Sequence, residues 1–140
     1  MTRVFLQQFE VTAASIDVNG HVNNLEYLRW MQDAATAHSQ AQGWTLEDYR
    51  ALGAGWFVRS HSIEYHLPAH AGDVLLLRTW VGEMKSSSCV RRFLFLRDAE
   101  RESGGPFRAS ILADGFEAVI GAVYLNGGLS AAARFLDRRR

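Results

Sequence analysis

The sequence predicts an α+β domain in which an antiparallel sheet wraps one long helix. Two observations carry that expectation. Apolar residues from Val22 to about Gln42 recur at helical spacing, and they do so in only one long stretch before Trp56. From Trp56 to Arg97 the chain then breaks into segments of strand length, separated by Pro68, Gly72-Asp73 and Ser86 to Ser88. At 140 residues the chain is long enough for one domain, or one domain with an appendage. One helix with one sheet is an economical way to bury both apolar surfaces.

Each element has its own signal. Val4 to Val11 reads as a first strand, and a polar stretch follows through Gly20. Val22, Leu25, Leu28, Met31 and Ala35 then trace one helical face, and Gly43 suits the residue just past the helix end. Thr45 with Asp48 three residues on resembles a capping box and predicts a short second helix to about Leu52. Trp56 to Leu67 is rich in β-branched, aromatic and alternating polar residues, and Pro68 stops it. Val74 to Val81 is a near-continuous apolar strand. In Cys89 to Arg97, Phe93 and Phe95 share one face while Leu94 and Leu96 share the other. Two apolar faces exceed what one helix covers, so the second face is expected to meet another subunit.

After Ser103-Gly104-Gly105-Pro106, the strongest breaker, periodicity gives two answers. Leu112, Phe116, Val119 and Val123 follow helical spacing, while Phe116, Ala118, Ile120, Ala122 and Tyr124 would make one face of a strand. An unpaired sheet edge needs a partner, and that need predicts a strand from about Phe116 to Leu125. Asn126-Gly127-Gly128 reads as a turn, and Ser130 as the cap of a terminal helix through Leu136.

Composition excludes several classes. Fifteen basic residues cancel fifteen acidic ones, so the strongly basic footprint of a nucleic-acid binder is missing. Cys89 is the single cysteine, which leaves no intrachain disulfide and no multi-thiolate metal site. No apolar run approaches the roughly 20 residues of a membrane helix, and Met1 to Glu10 lacks a signal-peptide pattern. A soluble, cytoplasmic protein is the expectation. His61 and His66 lie five apart, on opposite faces of a strand, so the histidines form no ligand pattern and no metal is expected.

The densest polar cluster is Asp17-Val18-Asn19-Gly20-His21-Val22-Asn23-Asn24, just before the long helix. A helix N-terminus presents unpaired N–H donors and a positive dipole, which together stabilise a developing oxyanion. A nearby carboxylate, Asp17, has the chemistry of a general base or nucleophile at a carbonyl. The same residues equally suit an ordinary helix cap that only satisfies backbone groups.

The stretch from Asp17 to Trp30, DVNGHVNNLEYLRW, resembles the signature of hotdog-fold acyl thioesterases of the hydroxybenzoyl-CoA and plant acyl-carrier-protein types. Ile63 to Ala69 and Gly72-Asp73 support it, and the likeness spans roughly residues 4 to 98. The resemblance implies a hotdog fold and acyl-CoA or acyl-carrier-protein thioester hydrolysis without cofactor or metal, in a homodimer or homotetramer. It places Asp17 at the catalytic acidic position, and His21 and Asn24 in the active-site turn and helix start. Tyr27 would border the acyl pocket, and Glu64 would be a second polar group of the cleft or an ordinary solvent-facing residue. Lys85, Ser87, Arg91 and Arg92 would meet the phosphates of coenzyme A or form a solvated strand end. Trp30, Trp44, Trp56 and Phe57 are pocket or core. A non-catalytic acyl-CoA-binding or assembly protein of the same fold is the alternative.

Residues 102 to 136 instead resemble part of the ribonuclease III catalytic domain, where the stretch is helical and Asp114 and Glu117 match acids of divalent-metal catalysis. The family's other acidic helix is nowhere in residues 1 to 101. Two acids three apart make half a metal site at best. A single hotdog domain over residues 1–140 with an atypical end is therefore expected, with a nuclease fragment as the distant alternative.

Overall fold

The computed structural model describes residues 4–52, 55–85, 88–98 and 109–121. The chain runs through strand β1 (Phe5–Glu10), a short 3-10 turn (Ala13–Ser15), helix α1 (Asn24–Ala41) and helix α2 (Leu46–Leu52). Strands β2 (Trp56–Tyr65), β3 (Val74–Met84), β4 (Ser88–Asp98) and β5 (Ala109–Gly121) follow. The five strands form one antiparallel sheet in the order β1-β3-β4-β5-β2, wrapped around α1 as in the hotdog fold.

Helix α1 starts where its cap permits. The Asn23 side chain accepts the Leu25 N–H at 2.9 Å, and Gly43, at φ +89°, lets the chain leave the helix in a left-handed turn. The buried stripe is Tyr27, Met31, Ala34 and His38, rotated from the stripe expected through Leu25 and Leu28. Val22 precedes the helix, and Leu25 is 69% exposed. Tyr27 takes the inner position because its ring packs edge-on against Phe95, centroids 5.0 Å apart, and against Trp30. The Thr45–Asp48 box forms as expected: Asp48 accepts from the N–H and hydroxyl of Thr45, and Thr45 Oγ1 accepts the Asp48 N–H.

Strand alternation decides the layers. Leu75, Leu77, Thr79, Cys89, Phe93 and Phe95 point inward and are buried against α1. Leu76, Trp80 and Leu94 lie half-buried on the outer face, where Phe116 is exposed. The ambiguous last segment is a strand, and it begins at Ala109, seven residues before the expected start at Phe116. It lies between β4 and β2 rather than at an edge, so ladders on both sides satisfy its backbone. An irregularity opposite Phe95 and Leu96 buries both Leu112 and Ala113, and the Leu112 carbonyl accepts the His66 N–H at 2.8 Å. The expected turn at Asn126 and the terminal helix to Leu136 lie outside the described residues.

Candidate active site

The Asp17 loop is a closed turn. Ile16 and Val22 form an isolated antiparallel bridge, the Asp17 N–H donates to the His21 carbonyl at 2.8 Å, and Gly20 reverses the chain at φ +81°. Asp17 Oδ1 accepts the Asn19 N–H at 2.9 Å, which orients the carboxylate. The Asn23 N–H donates to the Ser15 carbonyl, that of Leu25 to the Asn23 side chain and that of Glu26 to the Asn23 carbonyl. Among the described residues this pattern leaves the Asn24 N–H, at the first position of α1, without an acceptor.

Asp17, His21, Asn24 and Tyr27 are thus brought together as expected, lining one cleft of about 470 Å³. Tyr65 and His66 also wall it. The Tyr65 hydroxyl donates to the Asn24 carbonyl at 3.1 Å, tying the end of β2 to the helix start. Burial, and next the neighbouring Tyr65, push the Tyr27 phenol up to about 12, so it is protonated at neutral pH. Burial also raises the Tyr65 phenol. The sequence carries one clue to Tyr65, because strand period puts it on the inner face with Ile63. Its meeting with Asn24 depends on packing between β2 and α1, which no local pattern records.

The remaining expected site residues part company with this cleft. Glu64 points to the outer face of β2 and lines a separate hollow there with Trp80, Arg92 and Asp114, because residues one apart on a strand face opposite ways. Lys85 is exposed at the β3–β4 turn, where its N–H donates to the Ser88 carbonyl, and Ser87 lies outside the described residues. Arg91 corrects the expectation of a phosphate-binding strand end. It is 7% exposed on the inner face, with Nη1 donating to His38 Nδ1 at 2.9 Å and to Thr79 Oγ1 at 3.2 Å. Arg92, one residue on, faces outward with its guanidinium over the Phe116 ring. Among the tryptophans, Trp30 packs in the aromatic cluster, while Trp44 and Trp56 line a hollow of about 370 Å³ beside α2.

Strand geometry also separates the two acids that resemble nuclease ligands. Glu117 points inward, is 3% exposed, and accepts from Gln32 Nε2 at 3.0 Å with His61 Nε2 at 2.8 Å. Asp114 points outward, with His66 Nε2 at 3.2 Å from its Oδ2. A helix would set these carboxylates on one face, and the strand puts the sheet between them. His61 and His66 fall on opposite faces, as their spacing predicts.

Comparison with known proteins agrees with this architecture. Residues 11–122 match the model of the thioesterase-like superfamily. A variant of 4-hydroxybenzoyl-CoA thioesterase, solved with 4-hydroxybenzoyl-CoA, superposes with a TM-score of 0.78 at 21% identity, over 90% of this chain and 88% of that one. A 1,4-dihydroxy-2-naphthoyl-CoA thioesterase from Synechocystis gives 0.72 at 20% identity, over 85% and 82%. A gentisyl-coenzyme A thioesterase gives 0.70 at 20%, over 84% and 89%. Among curated sequences, Ribonuclease 3 of Legionella pneumophila is 34% identical over 128 residues, 85% of this chain and 55% of that protein. Ribonuclease 3 of Coxiella burnetii is 31% identical over 125 residues, 82% and 52%. The chain spans about half the length of these curated relatives.

Proposed function

The chain belongs to the thioesterase-like superfamily, and from that premise we propose that it hydrolyses the thioester bond of an acyl-CoA or acyl-carrier-protein substrate. One observation carries the proposal: the Asp17 carboxylate and the unpaired Asn24 N–H face one cleft at the N-terminus of α1. A thioester carbonyl held by the Asn24 N–H gains partial positive charge at carbon, and the helix dipole favours the oxyanion formed there. Asp17 then either takes a proton from the attacking water or attacks the carbonyl itself to give a mixed anhydride that water opens. Both routes release the thiol and the free acid. Both require Asp17 ionised. His21 holds the turn through its carbonyl, and Tyr27 borders the acyl group as a neutral phenol.

The same proposal includes a homodimer or homotetramer working in the cytoplasm. Trp80, Leu76 and Leu94 on the outer face, and the edges of β1 and β2 that carry no further strand among the described residues, support assembly. No helix among the described residues is long and apolar enough to cross a membrane. A hydrolysis screen over short, long and aromatic acyl-CoAs tests the activity by following the released thiol. Aromatic acyl groups come first, because the three solved relatives are named for such substrates. Turnover of at least one class, lost in Asp17→Asn, is expected. A pure protein that hydrolyses none of them, or an Asp17→Asn variant with unchanged rate, would overturn the proposal.

A further inference from the structure

We propose that Glu64, His66 and Asp114 form a binding site for a divalent transition-metal ion of the zinc class on the outer face of the sheet, with His66 on the border it shares with the Asp17 cleft. One ligand atom from each residue lies within 4.8 Å of the other two. The backbone accounts for that convergence. Glu64 and His66 are two apart along the β2 direction and so share a face, while Asp114 is the register partner of Glu64 on β5.

The scaffold beneath them is firmly tied. The N–H groups of His66 and Leu67 both donate to the Leu112 carbonyl, at 2.8 and 3.2 Å. Beside Asp114, a Cβ built on Gly115 would lie 2.8 Å from the Ser62 carbonyl oxygen, so β5 and β2 are in close contact there. Donors at metal-bond lengths of about 2.0–2.2 Å around one ion stand roughly 3–4 Å apart. His66 Nε2 and Asp114 Oδ2 already stand at 3.2 Å. Glu64 is exposed, and a side-chain rotation closes the rest of the gap without moving backbone.

The donor set selects the metal. Two carboxylates and one imidazole fit a zinc-like ion better than magnesium or calcium, which favour oxygen donors alone. Three protein ligands on an exposed surface leave the remaining positions to water. Arg92, in the same hollow, is the competing cation, but its guanidinium stacks 5.7 Å from the Phe116 ring centroid. The imidazole distinguishes this group from an ordinary patch of surface acids, and its carboxylate partner comes from a strand 48 residues away. The site does not depend on the thioesterase proposal.

The test titrates the chelator-treated full chain with zinc chloride by calorimetry, with cobalt absorption as an optical readout of coordination. One zinc per chain is expected, with affinity reduced about 10-fold or more in each of His66→Ala, Asp114→Asn and Glu64→Gln. His70→Ala controls for the close imidazole pair of His21 and His70 and should bind normally. Circular dichroism of the metal-free variants checks the fold, and His66→Gln replaces His66→Ala if the latter unfolds. Absent zinc binding, equal binding of magnesium, binding undiminished in the three variants, or loss in His70→Ala would each overturn the proposal.

Discussion

Gly115→Ala gives opposite results for the two conformations that the sequence allows between Phe107 and Leu125. In the strand, the added Cβ would sit 2.8 Å from the Ser62 carbonyl oxygen and 3.3 Å from Ile63 Cγ1, and real Cβ contacts essentially never fall under 3.0 Å. The oxygen belongs to backbone, so rotamer change gives no relief. Strands β2 and β5 must part where Ser62 faces Phe116 and Ile63 faces Gly115. Overpacking of that kind costs about 1–3 kcal/mol. In a helix the same substitution would stabilise by about 0.8–1.0 kcal/mol, because alanine loses less backbone entropy. Urea unfolding followed by circular dichroism reads the difference, and in thermal melts each kcal/mol moves the midpoint by about 2–4 °C for a chain of this size. Gly82→Ala on β3 is the control, since its Cβ would stand at ordinary contact, 3.5 Å from Val90 O, and should change stability by less than about 0.5 kcal/mol. A Gly115→Ala protein as stable as the parent, or more so, would refute the packing of β5 against β2.

Four further outcomes follow from the site and the core. Asp17→Asn should slow hydrolysis about 100-fold or more with folding intact, and a single turnover in ¹⁸O-water should label the Asp17 carboxylate only if it is the nucleophile. Tyr65→Phe removes the bond to the Asn24 carbonyl and should cost about 1 kcal/mol in chemical denaturation while lowering kcat more than it raises KM. Tyr27 holds its proton in the folded chain up to about 12 but releases it near 10 when unfolded, so its contribution is complete below pH 10 and lost as pH rises through about 12. Urea titrations over that interval should show a steeper loss for the parent than for Tyr27→Phe. Glu117→Ala should destabilise by about 1–3 kcal/mol, and a double-mutant cycle with His61→Ala should be markedly non-additive.

How much of this was legible depends on whether the determinant was local. The Thr45–Asp48 box and the opposite facing of His61 and His66 are set within a few residues, and the sequence discloses them, whereas β2 ends at Tyr65, short of the expected stop at Pro68. The gathering of Asp17, His21 and Asn24 needs only a turn and a helix start. Arg91 is a different matter: its charge suggests a surface, yet strand alternation and the His38 and Thr79 acceptors draw it inside. The rotation of α1 toward Tyr27 and the meeting of Tyr65 with Asn24 depend on packing across the domain. The group Glu64, His66 and Asp114 also needs the β2–β5 register, which joins residues about fifty apart. Pattern along the chain cannot show such a meeting.

The strand order carries a consequence for how the molecule is made. Strand β2 pairs with β5 and with no other strand of the described sheet, so the first strand synthesised after the helices begins without its ladder partner. Strands β3 and β4 can pair as soon as both emerge, and β1 can dock on β3. Tyr65 and His66, at the end of β2, take their places only after the segment to Gly121 has left the ribosome. Until then β2 is an exposed, β-prone stretch with both edges unpaired, open to annealing with another nascent chain. Such long-range closure is also slow, because its loop entropy is lost before contacts compensate. The cleft beside Asp17 is therefore the last part of the described fold to be completed.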